Sequence, residues 1–371
     1  MQSTKTTVEA RRLLEICNAC RYCEGYCAVF PAMELRRAFS NEDLSYLANL
    51  CHNCRGCYYA CQYAPPHEFA INLPKTLAEL RGETYVEYAW PRPFAALFQS
   101  NGTVISIATT LGIAVVLFLT TWMKSPQALI QPHTGPGSFY EIISEGAMIG
   151  VALATTAFSC LALAIGAARF WKDTGGGNVA NLRALRMAVS DVLTLKNLGG
   201  AGDGCNNRDE KFSQVRRRYH HALFYGFSLC MASTTVAAIY DHLLGWPAPY
   251  AFFSLPVLLG TFGGLGMMIG TAGLYWLKIV GDPEPSARKL LGADYALLMQ
   301  MFLAALTGEL LLLLRDSSAM GILLAIHLGV IFSFFAMMPY SKFVHGIYRS
   351  AALLRNAHER LSTKALTGLA D

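Results

Sequence analysis

Two short stretches hold eight of the chain's eleven cysteines: residues 17–27 read CNACRYCEGYC and residues 51–61 read CHNCRGCYYAC. The first places Cys17, Cys20, Cys23 and Cys27 ahead of Pro31. The second places Cys51, Cys54, Cys57 and Cys61 ahead of Pro65. Both follow C-x2-C-x2-C-x3-C-x3-P, an internal repeat with a period of 34 residues. Three thiolates at x2 spacing surround one side of a cubane cluster, while the fourth is directed away; in two-cluster ferredoxins it ligates the other cluster. The spacing therefore predicts two [4Fe–4S] clusters with crossed ligands. Cys17, Cys20, Cys23 and Cys61 would hold one, and Cys51, Cys54, Cys57 and Cys27 the other. In the ferredoxin run a proline directly follows the fourth cysteine. Here Ala28 and Gln62 stand there, and the proline comes three residues later in both repeats, which marks a variant of the module. Zinc sites use two separated cysteine pairs, and disulfides do not persist in a cytoplasmic segment, so both fit this pattern poorly. His52 and His67, close by, read as surface residues of the module.

Further residues capable of chemistry lie in or beside apolar runs: His220, His221, His242, His327, His345 and Glu309. Ionisable side chains inside membrane spans are rare and mark functional sites. His327 and His345 are 18 residues apart, which on one helix is five turns and roughly 27 Å, close to the ~30 Å of a bilayer core. His220 or His221 and His242 repeat that separation on an earlier, oppositely directed run. His242 would share the outer level with His327, and His220 or His221 the inner level with His345. Two pairs of imidazoles at two depths are what two bis-histidine b-type haems require; one pair would serve one haem b. Next to Arg216, Arg217 and Arg218, at least one of His220 and His221 reads equally well as an interfacial residue with a wet tip. Glu309 is the one carboxylate well inside a span, where it would relay protons to a quinone or face a wet cavity. His133 lies in the outer loop QPHTGPG and His358 in the charged tail, and neither reads as a ligand. Cys160 and Cys230 read as ordinary helix residues, and Cys205 falls in a polar loop.

The elements that must position these residues are legible from composition. Of 371 residues, 53% are hydrophobic and 15% charged, against roughly 45–50% and about 25% in soluble domains. The surplus begins near Thr103. Runs over 103–122, 146–168, 222–240, 251–277 and 317–341 are uncharged, and 295–314 contains only Glu309. Each is long enough to cross a bilayer as a helix. Lys and Arg concentrate in the loops on one face, ten of them between 169 and 218, with few on the other. This positive-inside bias places both termini in the cytoplasm. It also accounts for the net charge of +5 without any nucleic-acid partner. The first 30 residues contain no apolar signal-peptide core. The predicted architecture is mainly α. A small two-cluster ferredoxin-like domain over 1–95 precedes a six-helix transmembrane cytochrome b-like bundle over 96–371, which is expected to fold and bind haem without residues 1–92. Within the module, 33–50 reads as two helices broken near Ser40. Residues 183–196 read as an interfacial helix. Glycines at 260, 264, 266 and 270 give the small-xxx-small spacing of close helix packing.

The stretches CNACRYCEGYCAVFPAM, LCHNCRGCYYACQYAPPHEFAINLPK, RRRYHHALFYGF and MMPYSKFVH resemble the tricarballylate (citrate) utilisation protein B family over nearly the whole chain. The spacing of His327 and His345 is similar to that in the cytochrome b subunit of respiratory nitrate reductases. The resemblance implies a protein of the bacterial inner membrane. It would reoxidise the reduced FAD of a soluble tricarballylate dehydrogenase and pass the electrons to the quinone pool. Other readings of the same pattern are the membrane subunit of a different quinone-linked reductase, or a transporter or sensor with a metal-stabilised cytoplasmic domain. Inverted repeats and helices broken mid-membrane, which favour transport, are not evident.

Overall fold

The computed structural model describes residues 3–98, 100–200 and 202–367. The N-terminal module consists of α1 (Lys5–Cys20), α2 (Val29–Glu34), α3 (Asn41–Leu50), the single turn α4 (Gly56–Tyr59) and α5 (Leu73–Tyr88). Local chemistry sets its boundaries. Thr4 and Thr7 form a capping box at the start of α1, and Ser40 and Asp43 form one at the start of α3, each satisfying amide groups that a helix N-terminus leaves unpaired. The expected break at Ser40 is this cap. The helix before it ends earlier than its apolar pattern implies, at Glu34, and Leu35 is exposed.

The membrane half contains α6 (Asn101–Met123), α7 (Glu145–Asp173), α8 (Leu182–Leu193), a two-stranded antiparallel ribbon of β1 (Cys205–Asn206) and β2 (Phe212–Ser213), α9 (Val215–His242), α10 (Leu255–Ile279), α11 (Leu291–Leu314), α12 (Met320–Met337) and α13 (Val344–Thr367). Among the described residues, six helices are long and apolar enough to cross a membrane: α6, α7, α9, α10, α11 and α12. Large apolar side chains such as Phe118, Leu153, Phe262 and Leu313 are exposed on them. The chain is thus compatible with a multi-pass membrane protein. α9 packs along α10 and α6 along α12, with α11 touching α6, α10 and α12. A Cβ on Gly226 of α9 would come within 2.6 Å of the Met267 nitrogen, and one on Gly270 of α10 within 2.5 Å of the Leu223 nitrogen. These two helices approach backbone to backbone because both positions are glycine. Gly264 instead faces α11, against the Glu309 carboxylate.

The last apolar run differs from its expected form. α12 stops at Met337, a short turn covers Met338–Tyr340, and α13 begins at Val344. Pro339 lacks the amide that would continue the ladder and its ring crowds the preceding turn. His327 and His345 therefore stand on separate helices, and the single-helix distance between them does not apply.

α13 runs back onto the module. Val344, Tyr348, Ala352 and Leu353 share one buried core with Leu13, Leu14, Phe30, Met33, Leu47, Leu77 and Leu80. Tyr348 lies against Tyr85, Tyr88 and Phe170 with ring centroids 5.9, 6.0 and 5.5 Å away. Charged groups close the seam. Arg36 bridges Asp43 at 2.6 Å and Glu359 at 2.5 Å, Arg355 reaches Asp43 at 3.3 Å, and Tyr46 donates to Glu359 at 2.8 Å. The module's core is thus completed by a helix from the far end of the described chain.

Candidate metal centres and the cavity beside them

The repeat in sequence is a repeat in backbone. Arg21 and Arg55 occupy the same position in their runs, between the second and third cysteine, and both adopt left-handed geometry, with φ of 55° and 70°. For a residue with a Cβ this costs about 1–2 kcal/mol, and it folds the third cysteine back toward the first two. The ends of the runs then cross. Cys17, Cys20, Cys23 and Cys61 line one small pocket with Ile16, Phe30 and Tyr63, and Cys57 reaches the same pocket. Cys27 interacts electrostatically with Cys51 and Cys54, and Cys57 with Cys54, Cys27 and Cys51. The fourth cysteine of each run thus lies with the first three of the other, the grouping that crossed ligation requires.

Their electrostatics describe the kind of ligand that fits. Burial, and then the neighbouring cysteines, push Cys17 and Cys23 up to about 12. Burial raises Cys54 to about 11 and Cys27 and Cys57 well above the ordinary thiol range. Deprotonating several largely buried cysteines, whose thiolates would repel one another, is favoured by a polycationic partner in their midst. Two sets of cysteines in this grouping fit iron–sulfur clusters, which thiolates ligate.

Beside the second set lies a cavity of about 480 Å³, within the roughly 300–1,000 Å³ typical of cofactor sites. Its walls come from the cysteine loop, α5, and the module-facing ends of α9, α10, α11 and α13. His220 of α9 and His345 of α13 face each other there, with ring centroids 6.3 Å apart. Two imidazoles on opposite sides of one ion, with metal–nitrogen bonds of about 2 Å, place their ring centres about 6 Å apart. His345 Nδ1 is held by the Lys342 carbonyl at 2.5 Å, which leaves Nε2 available, the arrangement usual for metal-bound histidine. Burial among the cavity-lining side chains, followed by the charge of Arg349, pushes His345 well below the ordinary imidazole range. The ring is held neutral, the form that ligates.

Of the remaining candidates, His221 turns away: its Nε2 lies 3.1 Å from the Thr194 carbonyl and its ring packs on Tyr225. A helix rotates about 100° per residue, so adjacent histidines cannot share a face. The outer pair is not brought together as the inner one is. His327 Nδ1 meets Thr307 Oγ1 at 3.0 Å, its ring lying against Gly308 of α11. His242 is exposed, 3.5 Å from Glu145. Among the described residues, His220–His345 is the one ring contact between two histidines. Glu309, beside Gly264, is only partly enclosed.

Three residues outside the expected ligand set prove central. His52 is no surface residue. It lines the cavity with Nδ1 2.7 Å from the Leu50 carbonyl, and burial, then Arg349, pushes it well below the ordinary imidazole range. Arg216 donates to the Asn53 and His52 carbonyls at 2.5 and 3.3 Å. Arg349 donates to the Cys51 carbonyl at 3.0 Å, alongside Arg81 at 2.6 Å. Arg81 and Arg349 satisfy a carbonyl at the C-cap of α3, and Arg216 those of the loop that follows it. Arg216 precedes His220 by four residues and Arg349 follows His345 by four. That spacing is visible in the sequence, but its target is not. His358, in the charged tail, packs its ring 6.2 Å from that of Trp171.

Comparison with known proteins adds two family matches. Residues 10–87 match the model described as citrate utilization protein B Fer4-like domain, and residues 99–366 the model described as citrate utilization protein B. The Escherichia coli protein named citrate utilization protein B is 46% identical over 360 residues, covering 96% of this chain and 93% of that protein. No solved structure matches the chain.

Proposed function

The chain belongs to the citrate utilization protein B family, and from that premise we propose that it is a membrane electron-transfer protein of the bacterial inner membrane. It reoxidises the reduced FAD of a soluble tricarballylate dehydrogenase and delivers the electrons to the quinone pool. The observation that carries this reading is that residues of the second cysteine run line the same cavity as the His220–His345 pair. In this assignment Cys17, Cys20, Cys23 and Cys61 hold one [4Fe–4S] cluster, Cys51, Cys54, Cys57 and Cys27 the other, and His220 and His345 hold a haem b. When bound, these groups supply one-electron redox chemistry over a wide range of potentials.

The chain's own residues fix and insulate the centres. The two left-handed arginines shape the cysteine loops, and the Lys342 carbonyl orients the His345 ring. Arg81, Arg216 and Arg349 place positive charge beside the cysteine loop, which favours an anionic thiolate-ligated cluster. The dense Lys and Arg between residues 169 and 218 support a cytoplasmic location for the module, where a soluble flavoprotein has access.

The test is anaerobic mixing of the full-length protein in membranes with the reduced flavoprotein, following the visible spectrum. Reduction of iron–sulfur and b-haem bands, reversed by added quinone, is the expected result. A purified protein with neither set of bands would overturn the reading and favour a metal-stabilised transporter or sensor.

A further inference from the structure

The cavity between His220 and His345 has a charge imbalance that the ligand assignments leave unexplained. Seven basic and three acidic side chains line it. Arg216 and Arg349 spend their hydrogen bonds on neutral backbone carbonyls, so their charge stays uncompensated. Lys278 of α10 and Lys342, just ahead of α13, both bind one buried carboxylate, that of Asp294 on α11. Each ammonium has three donors, and sharing one carboxylate holds the two nitrogens side by side. Two half-buried cations that share a single carboxylate keep a net positive charge and donors to spare, which a further anion would balance.

The place of this pair is specific. Lys342 supplies the carbonyl that orients His345, and Lys278 lines the same wall as His220. A haem b carries two propionate carboxylates on neighbouring pyrroles, leaving one edge of the ring together. We propose that Lys278 and Lys342 receive those carboxylates, with Asp294 as the positioning residue that keeps the two ammonium groups paired. The proposal rests on the reading of His220 and His345 as haem ligands. It deepens that reading by assigning the ring's polar edge to Lys278 of α10 and Lys342 ahead of α13.

The test titrates full-length protein, freed of haem, with haem b and with its dimethyl ester, read by Soret absorbance. The ester keeps the iron and the ring and removes only the two negative charges. Unaltered protein should bind the diacid at least about tenfold more tightly, the scale of one charge-assisted hydrogen bond. Lys278→Gln and Lys342→Gln should each shrink that preference. The comparison on unaltered protein stands whether or not those variants fold. Equal binding of both forms, each low-spin, would overturn the proposal while leaving the histidine assignment intact. If neither form gives a low-spin spectrum that His345→Ala abolishes, the assignment falls and the proposal with it. The titration is repeated with phosphatidylglycerol. A preference that survives supports the proposal, whereas one that the lipid abolishes gives the lysines to a lipid headgroup and overturns it.

Discussion

Arg349 donates from Nη2 to the carbonyl oxygen of Cys51 at 3.0 Å, one helical turn beyond His345. Arg216, one turn before His220, does the same for Asn53 at 2.5 Å. Each cavity-facing histidine is thus tied through its own helix to the loop that holds the second cysteine run. Arg349→Gln should weaken this docking by about 1–3 kcal/mol, the scale for loss of a buried charged donor. Chemical denaturation in detergent should show a lower midpoint, partly restored by Arg349→Lys. An unchanged midpoint would remove the clamp from the account.

The crossing of the cysteine runs makes a prediction that single substitutions cannot. Cys23→Ser combined with Cys61→Ser should cost one cluster, leaving about four of about eight irons, because both residues belong to one four-sulfur set. Cys23→Ser combined with Cys27→Ser should cost both, although these residues are sequence neighbours. Iron analysis and low-temperature EPR decide; the reverse pattern would mean uncrossed ligation.

The two adjacent histidines should behave differently. His220→Ala should abolish or convert to high-spin the haem signal of the inner site, as His345→Ala should. His221→Ala should leave the spectrum unchanged, since its ring is bonded toward Thr194 and away from the cavity. A spectrum lost in His221→Ala and kept in His220→Ala would invert the assignment.

Removing residues 1–92 should damage the membrane half, contrary to the expectation of independent folding. The deletion uncovers Val344, Tyr348, Ala352 and Leu353, larger apolar side chains being worth about 1.5–3 kcal/mol each when buried. It also strips Arg36 and Tyr46 from Glu359 and Asp43 from Arg355, leaving those two side chains to each other. The truncated protein should lose the inner low-spin haem, read by absorbance after purification. Full haem occupancy would show that α13 holds its place alone.

The same seam should respond to acid. Burial raises the Asp43 carboxyl, but the hydrogen bond and charge of Arg36, with help from Ser40 and Arg355, outweigh it and hold the group below its ordinary value. A carboxylate lowered in the folded state stabilises above its unfolded pKa of about 4. That contribution fades as pH falls through the folded value. Asp43→Asn should flatten the pH dependence of stability below about pH 4 and lower stability at neutral pH. Equal acid sensitivity in the variant and the natural protein would exclude Asp43 as the group responsible.

Much of this was written in the sequence because it depends on spacing or on local composition. A cluster motif is a count of residues between thiols, a span is a length of uncharged chain, and the break at Ser40 is a side chain capping its own helix. The choice between His220 and His221 was not so written: helix rotation separates the two rings, but only the position of α13 says which one has a partner. The end of α12 at Pro339 was a local signal outweighed by an apolar run that continues past it. The sites of Arg216, Arg349, Lys278, Lys342 and Asp294 rest on contacts between helices far apart in the chain. His52 looked solvated because its neighbours in sequence are polar, whereas α9 and α13 enclose it in space. The sequence by itself determined which groups can bind metal and which segments can enter a bilayer, since both are properties of short windows. Only the tertiary structure decided which ligands meet and which charges face one cavity, because those are distances between segments that no window contains.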